Sequence, residues 1–354
     1  MHQDTQKTYN EVRREELNKA LDSQASLATI KDYYMINYED KFIEPEPILS
    51  LNKMPFGYLG EFSMVIGKPK ARKSFLVALL ASSNYTENEI IKMKLPDHKS
   101  KIVIFDTEQS QFELQRSAQR IKKLITPRNP DNICLYNLRE LNHNLKKKFI
   151  EDIIEGCSNI GFVIIDGIRD LITDINSIEQ ATNIVEWLLA LSSKNNIHIV
   201  NILHQNKGDG NARGHLGTEL TNKASGTISI SLGKNKAISV VMPEYLRNKD
   251  FEPFTLKIDS DGLPYVEIDG NTIESKKRKP QPNDYSMEVH REILKRIFED
   301  KETLSYSQLW KGIQNDLQTN GIEIGTNAAK DFLKYFKEEN LIKNENSSWT
   351  INLV

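Results

Sequence analysis

Phe62-Ser-Met-Val-Ile-Gly-Lys-Pro-Lys-Ala-Arg-Lys-Ser74 is the stretch on which the fold turns. Ser63 to Ile66 are mostly apolar, Gly67 permits a sharp turn, and Lys73-Ser74 opens a strongly apolar run, Phe75 to Leu80. The order is strand, loop, helix. Backbone N–H groups at a helix N-terminus cradle phosphates, a Lys in this position reaches the β and γ phosphates, and the Ser hydroxyl holds Mg2+. The expected nucleotide contacts are Gly67, Lys68, Pro69, Lys70, Ala71, Arg72, Lys73, Ser74 and Phe75. The GxxxxGK[ST] pattern fails at its second glycine, where Arg72 stands. That side chain either crowds the phosphates or points outward; with Lys68 and Lys70 it makes the loop unusually basic.

Downstream, short apolar runs alternate with amphipathic segments. The runs are Lys101-Ile-Val-Ile-Phe-Asp-Thr-Glu108, Gly161-Phe-Val-Ile-Ile-Asp166 and Ile197-His-Ile-Val-Asn-Ile-Leu-His204. Helical periodicity predicts helices over Phe112 to Leu124, Leu145 to Ile154 and Ile178 to Ser192, with the polar stretch Asn84 to Ser100 as an excursion. This alternation is the mark of a parallel sheet covered on both faces, a doubly wound α/β domain. Each run ends in a functional group: Asp106 and Glu108, then Asp166, then His204 and Gln205. Ligands of open α/β sheets bind outside the carboxyl ends of the strands, so these stretches are expected to converge on the crevice at the phosphate loop.

Asp166 closes an apolar run, as a carboxylate must to reach a Mg2+-bound water beside the phosphates; its competing role is a helix N-cap next to Gly167. The following residue is Gly, not Glu, so a general base has to come from elsewhere. Glu108 is the choice, with Asp106 and Asp170 as rivals, and a first-turn acid of the next helix as Glu108's plainer reading. His204 and Gln205 are candidates to sense the γ-phosphate, against a purely structural role. The loop Asn206 to Gly217 contains four glycines and reads as a mobile ligand-binding loop, with Lys207 and Arg213 suited to a nucleic-acid backbone. A strand at Thr227 to Leu232 and hairpins turning near Gly233 to Asn235 and Asp259 to Gly262 extend the sheet.

Val65 to Ser74, Phe105-Asp-Thr-Glu108, Ile164-Ile-Asp166 and Leu203-His-Gln-Asn-Lys207 together resemble the RecA-like ATPases, most closely the RepA-type hexameric helicase branch, over roughly residues 45 to 270. The resemblance implies ATP and Mg2+ as ligands, Glu108 as catalytic base and His204 as sensor. It implies a basic residue, Lys223 or Arg213, acting in trans on a neighbour's nucleotide. It further implies a homo-oligomer, hexameric, with the loop after His204 facing single-stranded DNA. The expected role is a ring helicase or DNA-loading motor of a plasmid or mobile element. The alternative is an ATP- and DNA-binding initiator, recombination mediator or regulator with little turnover.

The 354 residues carry a formal charge of −2 and only Cys134 and Cys157 as cysteines. That balance rules out a polycation, and the two cysteines form no CxxC pair, so neither a zinc site nor a disulfide framework is expected. No apolar run approaches a membrane span, and a cytoplasmic setting is expected. Residues 1–44 read as a helical arm and lead-in, 45–274 as the RecA-like core and 275–284 as a basic polar linker. Residues 285–354 read as a winged-helix-like domain of three helices and a terminal hairpin. Its third helix is expected from Thr326, as N-cap, to Asn340, with Lys330, Lys334 and Lys337 on the exposed side where a recognition helix meets DNA; protein docking is the other reading.

Overall fold

The computed structural model describes residues 35–36, 38–39, 45–128, 130–206, 212–233, 235–268, 281–282, 285–299, 301–322, 324–345 and 348–352. The chain divides into two compact units, Met1–Ile273 and Glu274–Val354. Most of the helical arm and lead-in expected over residues 1–44 lies outside the described residues, as does most of the linker.

In the first unit, β1 (Leu49–Leu51) and β2 (Met54–Gly57) lead into β3 (Phe62–Gly67), buried along its whole length. Then follow α1 (Lys73–Ser82), β4 (Ile91–Met93), β5 (Lys101–Asp106), α2 (Gln111–Ile125), β6 (Ile133–Asn137), α3 (His143–Glu155), β7 (Ile160–Asp166), α4 (Ile178–Asn195), β8 (His198–His204), α5 (Gly214–Lys223) and β9 (Gly226–Leu232). β10 (Ser239–Leu246), β11 (Phe254–Ile258) and β12 (Pro264–Glu267) complete it. The main sheet has the order β12-β11-β10-β9-β3-β8-β7-β5-β6. β9, β3, β8, β7, β5 and β6 are parallel, and β10 to β12 add antiparallel hairpins at one edge. Both faces are covered, as the continuous apolar strands require. Leu76, Leu80, Ile121 and Ile125 of α1 and α2 pack on one face; Ile150, Ile154, Leu188 and Leu220 of α3, α4 and α5 pack on the other. The fold is α/β with a large, mostly parallel central sheet.

Three local expectations change. The polar excursion at Asn84 to Ser100 contains β4, which joins β1 and β2 in a small sheet of order β2-β1-β4. The edge strand β6 is an addition to the strands read above. The expected loop from Asn206 to Gly217 ends early, because α5 begins at Gly214. Gly217 is there for packing: a Cβ on it would lie 2.5 Å from the Ala212 carbonyl carbon.

The second unit holds α6 (Met287–Phe298), β13 (Leu304–Ser305), α7 (Tyr306–Thr319), α8 (Thr326–Glu338) and a hairpin of β14 (Ile342–Glu345) with β15 (Ser348–Ile351). Its own core gathers Ile293, Leu309, Ile313, Phe332, Phe336 and Trp349. Ser305 and Gln308 form a reciprocal capping box at the start of α7, satisfying two otherwise orphaned N–H groups. Thr326 is not the cap of the third helix: it is the first helical residue, and Gly325 holds the cap position without a side-chain bond.

Candidate active site

Parallel register brings the predicted residues together. Gly67 pairs with His204 across β3 and β8, Asp106 with Asp166 across β5 and β7, and Asp166 with Ile202 across β7 and β8. Four strand ends thus present the loop, two carboxylates and an imidazole along one rim, where strand order reverses about β3.

The phosphate loop keeps its shape without its second glycine. Arg72 takes that glycine's left-handed conformation, φ 70° and ψ 31°, at a cost of about 1–2 kcal/mol for a residue bearing a Cβ. Its side chain points outward. One guanidinium nitrogen donates to Lys236 O at 2.6 Å and another to Ser239 Oγ at 3.1 Å, while Ser239 Oγ donates to Ala71 O at 3.2 Å. The phosphate side of the loop is therefore left clear of the guanidinium, and the basic side chains exposed there are Lys68 and Lys70. Gly67 itself is obligatory, since a Cβ would stand 2.6 Å from Ile230 O on β9.

Lys73 directs all three ammonium protons at acceptors: Gly67 O at 2.9 Å, Lys68 O at 3.0 Å and His204 Nδ1 at 3.0 Å. His204 Nε2 lies 3.4 Å from Glu108 Oε2. With Nδ1 accepting from the ammonium, the network assigns the imidazole proton to Nε2, which donates to Glu108. This contact is the main cause that holds the Glu108 carboxyl below its ordinary range, opposed by burial and assisted by the charges of Lys73 and Arg169. Burial lowers the Lys73 pKa, against the pull of Asp166 and Glu108. Asp166 behaves oppositely: burial, then Asp106 and Glu108, push it up to about 7 against Lys73 and His204.

The competing assignments separate on geometry. α2 is capped by Ser110 and carries Glu113 as its first-turn acid, so Glu108 is not spent on the helix. The short 3-10 turn Ile168–Leu171 is capped by Gly167 with no side-chain bond, so Asp166 is not an N-cap. Asp106 Oδ1 accepts from Glu108 N at 3.0 Å and Gln109 N at 2.7 Å, and burial is the first cause raising its pKa. Asp170 accepts from Thr107 Oγ1 at 3.1 Å and lies 4.0 Å from the buried Lys146 ammonium. Both rivals of Glu108 are engaged in holding the strand ends. Gly167 shows why no Glu follows Asp166: at φ 103° its Cβ would fall 2.1 Å from Thr107 Oγ1.

Ser74 and Asp166, with Asp106 and Gln109, line one small cavity behind the loop. A hydroxyl and a carboxylate facing one space suit Mg2+, a hard cation that keeps several waters and binds through one or two protein oxygens plus phosphates. No group of three or more His, Cys, Asp or Glu placed to hold a metal occurs among the described residues. A larger cleft, lined by Phe56, Tyr58, Glu61, Leu246 and Arg247, opens at the start of β3, the opposite end of the strand from the loop.

The remaining predicted residues are more dispersed. Phe75 lies beneath the Arg120 guanidinium of α2, 4.0 Å from its ring centre. Gln205 is buried, its N–H donating to Gly67 O at 3.2 Å. Arg213 and Lys223 are exposed at opposite ends of α5, and Lys207 lies outside the described residues. Lys330, Lys334 and Lys337 are exposed on α8, although Lys334 is 3.7 Å from Glu338 and Lys330 lies over Trp310. Ser239 and Lys236, which brace the loop through Arg72, carry no local sequence signal because they stand more than 160 residues away.

A family profile described as an AAA domain matches residues 39–210. That segment is similar to AAA domains. The match runs from ahead of β1 through the loop, the carboxylates and His204. Among solved structures, the RadB recombinase is similar at 15% identity and a TM-score of 0.44, covering 61% of this chain and 94% of that one. A KaiC-like protein from the hyperthermophilic archaeon Pyrococcus horikoshii OT3 is similar at 13% identity and a TM-score of 0.44, covering 64% and 99%. No curated protein matches the chain.

Proposed function

We propose that the first unit binds and hydrolyses ATP with Mg2+, as one subunit of a RecA-like, RepA-type ring that acts on single-stranded DNA as a helicase or loading motor. The observation that carries the enzymatic part is the chain Lys73–His204–Glu108, set beside Asp166 at the mouth of the loop. Lys73 is positioned to exchange two backbone carbonyls and the imidazole for phosphate oxygens. Once that exchange occurs, His204 Nδ1 loses its donor, so β8 registers the nucleotide. Glu108, kept ionised by His204, orients and deprotonates the attacking water. Ser74 and Asp166 hold Mg2+, whose charge supplies transition-state stabilisation at the phosphates. Arg213 and Lys223, exposed on α5, are the cations offered to a neighbour's nucleotide. Lys207 and Arg213, from the loop expected over Asn206 to Gly217, are the contacts offered to DNA, and the second unit, read as a winged helix, adds Lys330, Lys334 and Lys337.

Lys73→Ala is expected to abolish nucleotide binding. Glu108→Gln is expected to keep binding while hydrolysis falls about 100-fold or more; normal turnover by the Gln variant would transfer the base to Asp106 or Asp170. Solution mass with and without ATP, alongside ATPase rate with and without single-stranded DNA, tests the ring. A monomer whose turnover ignores DNA would leave a P-loop ATPase and remove the motor.

A further inference from the structure

Arg72 is the departure from the loop pattern, and its side chain lies on the hairpin that joins β9 to β10. We infer that Arg72 is a positioning residue that couples nucleotide occupancy of the loop to the β9–β10 turn. Three hydrogen bonds build the clasp: Arg72 to Lys236 O, Arg72 to Ser239 Oγ, and Ser239 Oγ to Ala71 O. Two of them involve main-chain carbonyls, so the clasp joins backbone to backbone.

The turn is constructed to transmit what it receives. Ala237 N donates to Asn235 Oδ1 at 2.9 Å, Ile238 N to Asn235 O at 3.0 Å, and Gly233 N to Ile238 O at 3.1 Å, so the turn from Asn235 to Ile238 is internally braced. β10 is paired along its length with β9, and β9 pairs in turn with β3, which delivers the loop. β9 also follows directly on α5. The clasp closes this circuit on the side where backbone pairing is missing. A planar guanidinium suits the task because it can engage two acceptors in fixed directions. Glycine at position 72 would give the same loop conformation at lower cost, but nothing to grip the hairpin. An outward-facing Arg in a left-handed conformation thus exchanges backbone ease for a mechanical link. Phosphates settling on the loop amides shift residues 68–73, and the shift reaches Lys236 through the Arg72 side chain and Ser239 through both that side chain and the Ala71 carbonyl.

The inference rests on nucleotide binding at the loop, and the experiment separates the two. Hydrogen exchange of the 235–246 segment is measured on the full chain, with and without saturating Mg2+ and a non-hydrolysable ATP analogue; occupancy is followed in parallel with a fluorescent nucleotide. In the wild type, exchange at the turn is expected to slow at least about fivefold on saturation. In saturated Ser239→Ala and Arg72→Gly the change is expected to fall below about twofold, while the slowing at the loop itself persists. Full response at the turn in both saturated variants would overturn the coupling, as would a wild type that binds nucleotide with no change there. A wild type that binds no nucleotide would overturn both readings at once.

Discussion

Asp166 is held in a surrounding that costs stability when it is ionised. Burial and two neighbouring carboxylates raise its pKa from 3.8 to about 7. The folded protein therefore keeps this proton to higher pH than the unfolded chain, and stability falls as pH rises from about 4 towards 7. Asp166→Asn removes the penalty. Without nucleotide it is expected to stabilise the protein on the order of 1–3 kcal/mol at pH 8, with the gain vanishing near pH 4, and to lose hydrolysis. Thermal melts at the two pH values check it; identical melting at pH 8 would remove the carboxylate strain. His198 has the opposite sign. It is fully buried between Ser63 Oγ, 2.9 Å from Nε2, and Tyr58 O, 2.9 Å from Nδ1, and burial lowers its pKa to about 4. The neutral ring belongs to the fold, so its stabilisation is complete above pH 6.5 and is lost as pH falls towards about 4. Across that window the urea midpoint of the wild type should fall relative to that of His198→Gln, which keeps the Asp166 contribution but lacks the imidazole.

At the level of elements, the site depends on β5 and β7 ending in register, with Thr107 and Gly167 interlocked. Gly167→Ala is expected to cost about 2–4 kcal/mol, from a left-handed backbone and a Cβ driven into Thr107, and Gly167→Glu should not rescue Glu108→Gln. Urea titration decides: a loss under about 0.5 kcal/mol would show that the β5–β7 junction yields easily. The strands that build the rim were legible because each is a predominantly apolar run, and three of them, β5, β7 and β8, close on a polar group. β4 and β6 were not. β4 is three residues with Lys92 exposed between Ile91 and Met93, and β6 is an edge strand with one buried residue, so neither shows a buried-strand pattern. α5 was obscured by Gly214 and Gly217, which read as loop residues although Gly217 serves close packing against Ala212. The direction of the Arg72 side chain could not be read at all, because its acceptors on β10 and the preceding turn become neighbours only through sheet order.

On the scale of the whole chain, the two units have separate cores: one fills both faces of the main sheet, and the other lies wholly among residues 293–349. Such cores are expected to unfold as separate cooperative transitions. Every residue assigned to phosphate and Mg2+ lies in the first unit. Ligand binding stabilises only the unit that holds the site, by about 2.7 kcal/mol at a ligand concentration 100 times Kd. For a unit of this size that amounts to an upward shift of about 5 °C. Differential scanning calorimetry of the full chain should therefore resolve two transitions, of which Mg2+ and a non-hydrolysable ATP analogue move only the larger. Lys73→Ala should cancel the shift without changing the smaller transition. A single transition that shifts as a whole would mean that the second unit is thermodynamically coupled to the nucleotide, and its helices would then belong to the response rather than to an independent module.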